Sequence, residues 1–278
     1  MGYRRARSHD TIEIEVCPIL SPAIIAALPA LKAMLFPLLG GRPEARVGIT
    51  ETENGLDVVM EGAPPPETAL AKLAGTAGAQ GIARITVGDE SVMLTPPMLR
   101  LGRAEVRLSP GAFLQASPDA EAEMMALVCA GVGKAKRVAD LFSGLGTFSF
   151  ALAERASVDA YENSAEALAA LEEAARHTPK LKPMRGHRRD LFQDPLGWQE
   201  LKPYDAVVFD PPRAGAAAQA AQFAKSKVKR LVAVSCNPGT LARDLRILVD
   251  GGCQITRVTP VDQFLFSSHV EVVVHLRR

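Results

Sequence analysis

The stretch that decides the fold is residues 137–147, Arg137-Val-Ala-Asp-Leu-Phe-Ser-Gly-Leu-Gly-Thr147. It predicts a short apolar strand, then a turn bearing Gly144 and Gly146, then a helix near residues 147–156. Glycine in such a turn allows the backbone to approach a nucleotide-like ligand closely. Because the full GxGxxG spacing is missing, a tight strand-to-helix turn without a ligand remains an alternative.

The chain on either side of this stretch alternates between strands and helices. Further strands are predicted at 157–162, 204–209, 230–235 and 269–275, and further helices at 118–132 and 164–177. Such alternation predicts an α/β fold with a Rossmann-like, doubly wound and largely parallel sheet that carries helices on both faces. Ligands of these sheets bind at the carboxyl ends of the strands, so residues that directly follow a strand are the first candidates for a site.

The beginning of the chain has a different pattern. Ser21-Pro22 indicates the start of a helix and Gly40-Gly41 its end. Residues 45–62 and 81–95 favour strands. Between these two strand regions, a proline-rich turn at Pro64–Pro66 is followed by a second helix. We therefore predict a small α+β domain at residues 1–108 and the doubly wound domain at residues 109–278.

The composition is that of a globular protein. Of the 278 residues, 47% are hydrophobic and 23% are charged, which excludes a disordered or fibrous chain. A formal net charge of +1 does not indicate a nucleic-acid partner, so any RNA affinity has to come from local basic clusters. Three candidates are Arg4, Arg5 and Arg7, the stretch Arg185–Arg189, and Lys225, Lys227, Lys229 and Arg230. Each is also compatible with an ordinary solvated face.

The four cysteines, Cys17, Cys129, Cys236 and Cys253, are widely separated. Without a CxxC pair, neighbouring cysteines form neither a disulfide framework nor a complete metal site, and this usage predicts a reducing, cytoplasmic location. The apolar run from Cys17 to Leu39 is interrupted by prolines and by Lys32. We therefore predict neither a membrane span nor an export signal.

Acidic residues lie at or after the ends of several predicted strands. Glu162 lies 22 residues after Asp140, the usual separation for a carboxylate that binds the ribose hydroxyls of an adenosine cofactor. A dinucleotide-binding dehydrogenase would have the same carboxylate. Asp210-Pro-Pro-Arg213 instead resembles the (D/N)PP motif of nucleic-acid methyltransferases. Asp190 is predicted to contact the adenine, with a helix N-cap as the alternative.

Cys236 follows the apolar strand at 230–235, at the same predicted sheet edge as Asp210. A lone cysteine is usually a small buried hydrophobic residue, and Cys129 and Cys253 are interpreted in that way. Beside a (D/N)PP motif, however, a thiolate suits methylation of a pyrimidine at C5. Its addition to C6 turns C5 into an enolate-like carbon that can take a methyl group.

Two other residues are candidates for the remaining steps of this chemistry. The thiol pKa has to fall below its ordinary value of about 8.5, and the nearby Arg213 is expected to help. After methylation a base has to remove the C5 proton so that the thiol is eliminated, and Glu271 in His269-Val-Glu271 is a candidate. Without this context, Glu271 would be interpreted as an exposed strand residue.

Five segments resemble the RNA (uracil-5-)-methyltransferases that act on ribosomal and transfer RNA. They are Phe113-Leu-Gln115, Asp140-Leu-Phe-Ser-Gly-Leu-Gly146, Asp210-Pro-Pro-Arg213, Ser235-Cys-Asn-Pro-Gly-Thr-Leu-Ala-Arg-Asp244 and Asp262-Gln-Phe264 with His269-Val-Glu271. Their order and spacing match from about residue 110 to the end of the sequence, and the SCNPxTLxRD segment is highly specific. The resemblance implies a class I methyltransferase fold and S-adenosylmethionine as the cofactor.

The resemblance also implies roles for individual residues. Cys236 would be the nucleophile and Glu271 the base. Cofactor contacts are expected from Gln115, Phe142, Gly144, Gly146, Thr147, Glu162, Asp190 and Asp210. Arg213 and Asp262 are expected to bind the RNA substrate. Thr147 stands where the family commonly has asparagine, and DPPR stands where some members have DPAR; neither change threatens the mechanism.

The N-terminal residues depart from the family pattern. Cys17-Pro-Ile-Leu20 resembles the last of four cysteine ligands of the iron–sulfur cluster in the ribosomal-RNA branch. The other three ligands and the upstream RNA-binding β-barrel are not in this sequence. Two explanations are a fragment whose first residues were removed and a family member that has lost them, of which we favour the fragment. In either case we expect an orphaned Cys17 and no metal site in this chain, and a 4Fe–4S cluster only when the missing part is present. On this basis ribosomal RNA, 23S rRNA first, is favoured over transfer RNA as the partner of a monomeric protein.

Two alternatives remain open at the level of the sequence. An amino-methyltransferase that acts on a purine through Asp210-Pro-Pro would need no thiol, so replacing Cys236 would spare its activity. A cofactor- or RNA-binding module without catalysis would bind S-adenosylmethionine but would form no covalent adduct with RNA.

Overall fold

The computed structural model describes residues 1–5, 8, 10–62 and 67–278. These form two compact units, residues 1–99 with 107–111, and residues 100–106 with 112–278. Arg7 of the first basic cluster and the turn predicted at Pro64–Pro66 lie outside the described residues. The single domain boundary after residue 108 stays a prediction.

The first unit is a small α+β structure. Its elements are β1 (Gly2–Arg4), β2 (Thr11–Glu13), α1 (Pro22–Leu35), β3 (Val47–Thr52), β4 (Gly55–Met60), α2 (Glu67–Ala77), β5 (Ile82–Val87) and β6 (Glu90–Met93). Strands β1 and β2 pair as a hairpin, and the other four form a sheet in the order β3-β4-β5-β6. The pair β4–β5 is parallel, whereas β3–β4 and β5–β6 are antiparallel.

Helix α1 begins and ends at the predicted signals. The Ser21 hydroxyl accepts a hydrogen bond from the Ile24 amide at 3.3 Å, and Pro22 is the first helical residue. A 3₁₀ turn follows and ends at Gly40, whose φ is +58°. Residues Pro22–Leu39 are long and apolar enough for a membrane span by length and composition alone. The inward face of α1 nevertheless packs into the core of the first unit, as a core helix does.

The second unit is the doubly wound domain. A hairpin of β7 (Met98–Leu101) and β8 (Ala104–Arg107) precedes it along the chain. Its further elements are α3 (Pro118–Val132), β9 (Arg137–Leu141), α4 (Thr147–Ala153), β10 (Ser157–Glu162), α5 (Ala165–His177), β11 (Met184–Arg188), β12 (Ala206–Phe209), α6 (Ala217–Lys225), β13 (Arg230–Ser235), α7 (Pro238–Asp250), β14 (Gln254–Val261) and β15 (Glu271–Arg277).

The seven strands of this unit form one sheet in the order β11-β10-β9-β12-β13-β15-β14. All pairs from β11 to β13 are parallel, and β15 runs antiparallel to both of its neighbours. The order reverses beside β9, the strand that opens the glycine turn. The predicted α/β fold is confirmed, and the reversal lies where ligands of doubly wound sheets bind.

Two apolar layers cover the two faces of the sheet. Alternate residues of β13 belong to different layers, with Leu231 and Ala233 in one and Val232 and Val234 in the other. Helices α6 and α7 pack on the first face, and α3 and α4 on the second. Burial on both faces explains why the central strands are almost continuously apolar.

In the doubly wound domain, β11, β14, α6 and α7 are not among the elements predicted from the sequence, and neither are the short strands β1, β2, β7 and β8 elsewhere in the chain. Strands β11 and β14 lie at the two edges of the seven-stranded sheet. Strand β14 exposes most of its side chains and β11 has none that is buried, so neither has an apolar pattern. Strand β15 begins two residues later than predicted, at Glu271. This position puts Glu271 at the same end of the sheet as the carboxyl ends of the parallel strands.

Candidate active site

The carboxyl ends of five parallel strands, β9 to β13, meet at one edge of the sheet. Phe209 pairs with Leu141 of β9 and with Ala233 of β13, so the residues that follow these strands are neighbours. In the antiparallel pair β13–β15, Ser235 lies opposite Val272. Cys236 directly follows and Glu271 directly precedes this pair, at the same end of the sheet.

The glycine turn needs both of its glycines, for different reasons. Gly144 has φ +53° and Gly146 has φ +97°, a region that side chains with a Cβ rarely adopt. A Cβ on Gly146 would lie 2.9 Å from side-chain atoms of Leu171 and Phe150. A Cβ on Gly144 would meet no atom within 4 Å. Gly146 therefore leaves room for the packed side chains of Leu171 and Phe150, and it is the N-cap residue of α4, directly before Thr147. Gly144 borders open space.

Glu162 is fixed at the end of β10 by backbone amides. Its Oε2 accepts a hydrogen bond from Gly144 N at 3.0 Å, and its Oε1 accepts from Asn163 N at 2.8 Å and Ser164 N at 2.9 Å. A carboxylate has about four acceptor positions, so capacity for a further donor remains on Oε2. The predicted cofactor carboxylate is thus held rigidly against the glycine turn.

Two buried polar atoms beneath the glycine turn have free acceptor capacity. Asp140 Oδ1 and Ser143 Oγ hydrogen bond to none of the residues that the structure describes. The other oxygen of Asp140 accepts from the Ser149 hydroxyl at 2.6 Å. Burial raises the pKa of Asp140 to about 7, and the Glu162 charge adds to this effect. The unpartnered atoms and the open space at Gly144 fit a cationic ligand with several hydrogen-bond donors, as S-adenosylmethionine is.

Asp190 forms a turn cap after β11. Its Oδ1 accepts from the amides of Phe192 at 3.0 Å and Gln193 at 3.3 Å. Asp190 Oδ1 therefore has the capping role that the sequence analysis gave as the alternative. Phe192 lies against Phe142, with ring centroids 5.4 Å apart. Phe142 itself adopts φ +61°, and the pair presents aromatic surface beside Asp190.

The DPPR and SCNP loops are fastened to each other. The Asn237 side-chain amide and the Thr240 hydroxyl both donate to the carbonyl oxygen of Arg213, each at 3.1 Å. Asn237 also caps α7, because its Oδ1 accepts from Gly239 N at 3.0 Å. These bonds hold Arg213 beside the loop that carries Cys236.

Two further residues of the SCNPxTLxRD segment also bind the loop after β12. Arg243 Nη2 donates to the carbonyl oxygen of Ala214 at 2.9 Å. The buried Asp244 accepts from Ala216 N at 2.6 Å and from Arg243 Nε at 2.9 Å. The segment therefore both supplies the cysteine and positions the loop after β12.

The thiol of Cys236 is half-buried, and its pKa is not lowered overall. Burial raises the pKa above the ordinary value, and the carboxylates of Glu271 and Asp210 raise it further. Arg213 acts in the expected direction, by a hydrogen bond and by its charge, but only partly offsets these effects. The expected help from Arg213 is therefore present, but burial and the two carboxylates outweigh it and the thiol pKa stays above its ordinary value.

Asp210 and Glu271 make this end of the sheet strongly acidic. Burial raises the pKa of Asp210 to about 8, and the charges of Glu271 and Asp140 contribute. Glu271 is only 3% exposed, so it is not the exposed strand residue that its sequence context suggests. Burial raises its pKa, while a hydrogen bond from Gln263 and the charge of Arg213 lower it. Burial is the larger cause of both raised pKa values, and the mutual charge of the carboxylates adds to the shift at Asp210.

Gln115 is connected to Glu271 by a buried residue, Gln263. The side chain of Gln263 donates to Gln115 Oε1 at 3.0 Å and to Glu271 Oε1 at 2.8 Å. The two predicted site residues are therefore connected by a residue to which the sequence analysis assigns no role. Asp262, predicted to bind substrate, is exposed at the start of the segment before β15.

Aromatic and basic side chains surround this edge of the sheet. Arg213 Nη2 lies 3.4 Å from His269 Nδ1 in the segment that precedes Glu271. In the same segment Phe266 is 89% exposed, and Phe113 is 76% exposed. Exposed aromatic rings beside a cation are suited to stacking on nucleic-acid bases.

The basic clusters are partly neutralised. In the second cluster, Arg189 pairs with Glu200 at 2.7 Å and with Asp194 at 3.0 Å. In the first, Arg4 forms an ion pair with Glu44. Among the described residues no group of three or more cysteine, histidine or acidic side chains could hold a metal ion. Cys17 lies beside Tyr3, whose hydroxyl pKa is raised by burial and by Cys17.

Several residues of the site were not assigned from the sequence. Asn237 could have been found, because asparagine directly before a proline is a helix-start signal. Gln263, Ser143 and Phe192 have no local signal, since each acquires its contacts only through the fold. Their roles depend on which strands become neighbours.

Comparisons with known proteins agree with this geometry. A family model described as tRNA (Uracil-5-)-methyltransferase matches residues 189–278. A Brucella melitensis protein described as an uncharacterized RNA methyltransferase is 48% identical over 280 residues, which cover 100% of this chain and 68% of that protein. The 23S rRNA (uracil(1939)-C(5))-methyltransferase RlmD of Aeromonas salmonicida is 32% identical over 281 residues, 98% of this chain and 64% of that protein.

A solved structure shares the fold. The tRNA (uracil-54, C5)-methyltransferase of Pyrococcus abyssi, in complex with S-adenosyl-L-homocysteine, superposes with a TM-score of 0.73 at 21% identity. The match covers 96% of this chain and 70% of that one. This likeness shows a Rossmann-like methyltransferase fold, and the sequence relatives show that this chain belongs to the RNA (uracil-5-)-methyltransferase family.

Proposed function

We propose that this protein methylates C5 of a uridine in ribosomal RNA, 23S rRNA first, through a covalent bond between Cys236 and C6 of the base. The observation that carries the proposal is the register of β13 and β15, in which Ser235 lies opposite Val272, so that Cys236 and Glu271 directly follow and precede this pair at the same end of the sheet. The Glu271 charge also acts on the Cys236 thiol. A nucleophile and a base at adjacent positions are what addition to C6 and removal of the C5 proton require.

The cofactor would occupy the edge of the sheet at the glycine turn. When bound there, S-adenosylmethionine supplies an electrophilic methyl group. We assign Glu162 to the ribose hydroxyls, and Asp190 with the ring of Phe142 to the adenine. Further contacts are assigned to Gln115, Gly144, Gly146, Thr147 and Asp210. The acidic surroundings of Asp210 favour a cationic ligand.

The protein residues act on the uracil in two stages. The Cys236 thiolate forms an S–C6 bond, and the C5=C6 electron pair becomes available at C5, which takes the methyl group. Glu271 then accepts the C5 proton, the C5=C6 bond forms again, and the C6–S pair returns to Cys236 as thiolate. Arg213 favours the ionised forms of both Cys236 and Glu271, so it supports both stages.

The choice of substrate rests on indirect support. The Aeromonas salmonicida relative is named for a 23S rRNA uracil, and Cys17 resembles a ligand of the cluster of that branch. A uridine has to leave its stack to reach Cys236, which costs a few kcal/mol and favours loops of folded RNA. Arg213 and Asp262 are assigned to the RNA, bound by a cytoplasmic monomer. The 4Fe–4S cluster is proposed only for a longer form with four cysteine ligands.

Release of tritium from RNA that carries [5-³H]uridine tests the proposal directly. Ribosomal RNA fragments and transfer RNA are compared as substrates, with and without S-adenosylmethionine. Wild-type protein is expected to release tritium only with the cofactor, and Cys236→Ala is expected to lose release at least about 10³-fold, as for removal of a catalytic nucleophile. Cys129→Ala is the matched control, because Cys129 is also half-buried but lies on α3.

The outcomes separate the candidate functions. Methyl transfer to RNA that survives Cys236→Ala without tritium release would identify an amino-methyltransferase instead. Cofactor binding without any methyl transfer, even to ribosomal RNA, would favour a binding module. Preferred labelling of transfer RNA would overturn the choice of ribosomal RNA but not the C5 chemistry.

A further inference from the structure

Gln263 is a buried glutamine with three hydrogen bonds, and two of its partners are predicted site residues. It is 8% exposed and lies two residues beyond β14. Its Oε1 accepts from Ala116 N at 3.0 Å. Its Nε2 donates to Gln115 Oε1 at 3.0 Å and to Glu271 Oε1 at 2.8 Å. All three distances are in the normal range for hydrogen bonds.

The backbone contact fixes the direction of the other two bonds. Ala116 N–H is only a donor, so the Gln263 atom that faces it has to be the carbonyl oxygen. The Gln263 amide nitrogen therefore faces Gln115 and Glu271, and both have to accept. Gln115 turns its oxygen towards Gln263 and directs its own amide nitrogen away from it. Glu271 accepts the Gln263 bond with Oε1, and Oε2 accepts no side-chain hydrogen bond from the described residues, so Oε2 is the freer oxygen to take a proton.

We propose that Gln263 is a positioning residue that orients Glu271 for removal of the C5 proton and fixes the side-chain amide of Gln115. This inference rests on the function proposed above. The Gln263 hydrogen bond is the only side-chain hydrogen bond to Glu271 among the described residues. Without it the carboxylate would rotate about its side-chain bonds and lose its fixed orientation towards C5.

The same hydrogen bond affects the charge of the base. Burial raises the pKa of Glu271, and the Gln263 bond lowers it. A base has to be ionised before it accepts a proton. Removing the donor would raise the Glu271 pKa further, so proton removal would require a higher pH. Addition of Cys236 to C6 does not use Glu271 as a base, so that stage should change much less.

The loss of Gln263 would also release Gln115. A free amide can exchange its oxygen and nitrogen by rotation, so the donor directed away from Gln263 would no longer be fixed. If Gln115 contacts the cofactor, as assigned above, the KM for S-adenosylmethionine should rise. A change in the late stage of the reaction together with a higher cofactor KM is a combination that simple destabilisation would not produce.

Single-turnover experiments with [5-³H]uridine RNA distinguish these effects. Formation of the covalent complex is followed on denaturing gels, and its decay is followed by tritium release, at pH values from 6 to 9. The variants are Gln263→Met, which keeps the length without a donor, and Gln263→Glu, which keeps the shape. Glu271→Gln reports loss of the base. Gln219→Met is the matched control, since Gln219 is also buried but bonds only to the backbone of Leu196.

For Gln263→Met we expect complex formation within about threefold of wild type, and decay about 10–100-fold slower, as for loss of one hydrogen bond to a charged group. The rise of the decay rate with pH should move to higher pH. The KM for S-adenosylmethionine should increase. Gln219→Met should change the melting temperature but neither the pH profile nor the ratio of formation to decay.

Two results would overturn the inference while the proposed function stands. In the first, the covalent complex of both Gln263 variants decays at the wild-type rate and with the wild-type pH dependence, while Glu271→Gln still traps the complex. The other is equal slowing of formation and decay, which indicates a general structural role. If Cys236→Ala still releases tritium, or Glu271→Gln does not trap the complex, the proposed function itself fails. Should Gln263→Met not fold, Gln263→Glu alone decides between these outcomes.

Discussion

The side-chain amide of Asn237 donates a hydrogen bond to the carbonyl oxygen of Arg213 at 3.1 Å, which ties the loop after β13 to the loop after β12. The same side chain caps α7 through its oxygen. One residue thus performs two tasks with its two polar atoms. The tasks can be separated, because an aspartate keeps the acceptor and loses the donor.

The first prediction concerns this pair. Asn237→Asp should retain the cap of α7 and nearly the wild-type melting temperature, whereas Asn237→Ala should lose about 1 kcal/mol of stability. Both should lower tritium release roughly tenfold, because Arg213 is no longer held beside Cys236. Thr240→Val is the companion variant, since it removes the second donor to Arg213 without altering shape. Full activity in both Asn237→Asp and Thr240→Val would show that the fastening has no catalytic role.

The second prediction concerns Arg213 and pH. Arg213 lowers the pKa values of Cys236 and Glu271, while burial raises both. Both groups act in their ionised forms, so activity should rise with pH. Arg213→Met should move this rise to higher pH and reduce activity at pH 7 by about tenfold, with partial recovery near pH 9. Arg213→Lys keeps the charge and should move the profile less. An unchanged profile in Arg213→Met would contradict this role.

The sequence predicted the parts of the site that depend on local signals. Gly144 and Gly146 follow from a strand-to-helix turn, and Cys236 follows an apolar strand. The nearness of Cys236 to Glu271 needs β15 to run antiparallel between β13 and β14, and no local pattern encodes that position. The resemblance to a known family supplied it instead.

Long-range contacts were beyond prediction for the same reason. Gln263 and Gln115 are separated by 148 positions and meet only because β14 ends near the segment that precedes α3. The net shift of the Cys236 pKa is likewise beyond the reach of local signals. It depends on burial and on two carboxylates that approach through the fold, not only on the nearby Arg213.

The third prediction uses the two glycines as a matched pair. Gly146→Ala should destabilise the protein by roughly 1–3 kcal/mol, since its Cβ would lie 2.9 Å from Leu171 and Phe150. Gly144→Ala meets no atoms and should cost only about 1 kcal/mol for its positive φ. Its methyl group would nevertheless occupy the space where the cofactor is proposed to bind, so the Kd for S-adenosylmethionine should rise. Calorimetry measures the Kd for S-adenosylmethionine, and thermal unfolding measures the stability of each variant. Unaltered cofactor binding in Gly144→Ala would place the cofactor elsewhere.

The fourth prediction concerns stability and pH. The pKa of Asp140 is about 7 in the folded protein against an ordinary value of 3.8, so the folded state holds a proton that the unfolded state has lost. Stability should therefore fall as pH rises from about 4 to 7, by about 1.4 kcal/mol per pKa unit at most. Asp140→Asn should remove only the share of this slope that Asp140 contributes, because the raised pKa values of Asp210 and Glu271 give slopes of the same sign, and it should raise the melting temperature at pH 8 relative to wild type. A melting temperature of the ligand-free wild type that does not fall over this range would refute the assignment.

The fifth prediction concerns the first unit, where Asp57 and Arg84 form a buried ion pair between β4 and β5. Arg84 Nε and Nη2 donate to the two Asp57 oxygens at 2.8 and 2.7 Å. Asp57 is 2% exposed and Arg84 is 6% exposed. Arg84→Met alone leaves a buried carboxylate without its partner and should cost about 3–5 kcal/mol. The double variant Asp57→Leu/Arg84→Met removes both charges and should recover most of that loss.

Unfolding in urea, followed by two probes, checks this expectation. Trp198 is the single tryptophan and belongs to the second unit, so its fluorescence reports that unit, whereas circular dichroism reports both. The single variant should shift the circular-dichroism transition more than the fluorescence transition. Arg46→Met is the matched control, since Arg46 pairs with Glu61 on the surface and its loss should have little effect. Equal stability of the Arg84→Met and double variants would mean that the Asp57 charge is not costly when unpaired, because water or another cation then reaches it.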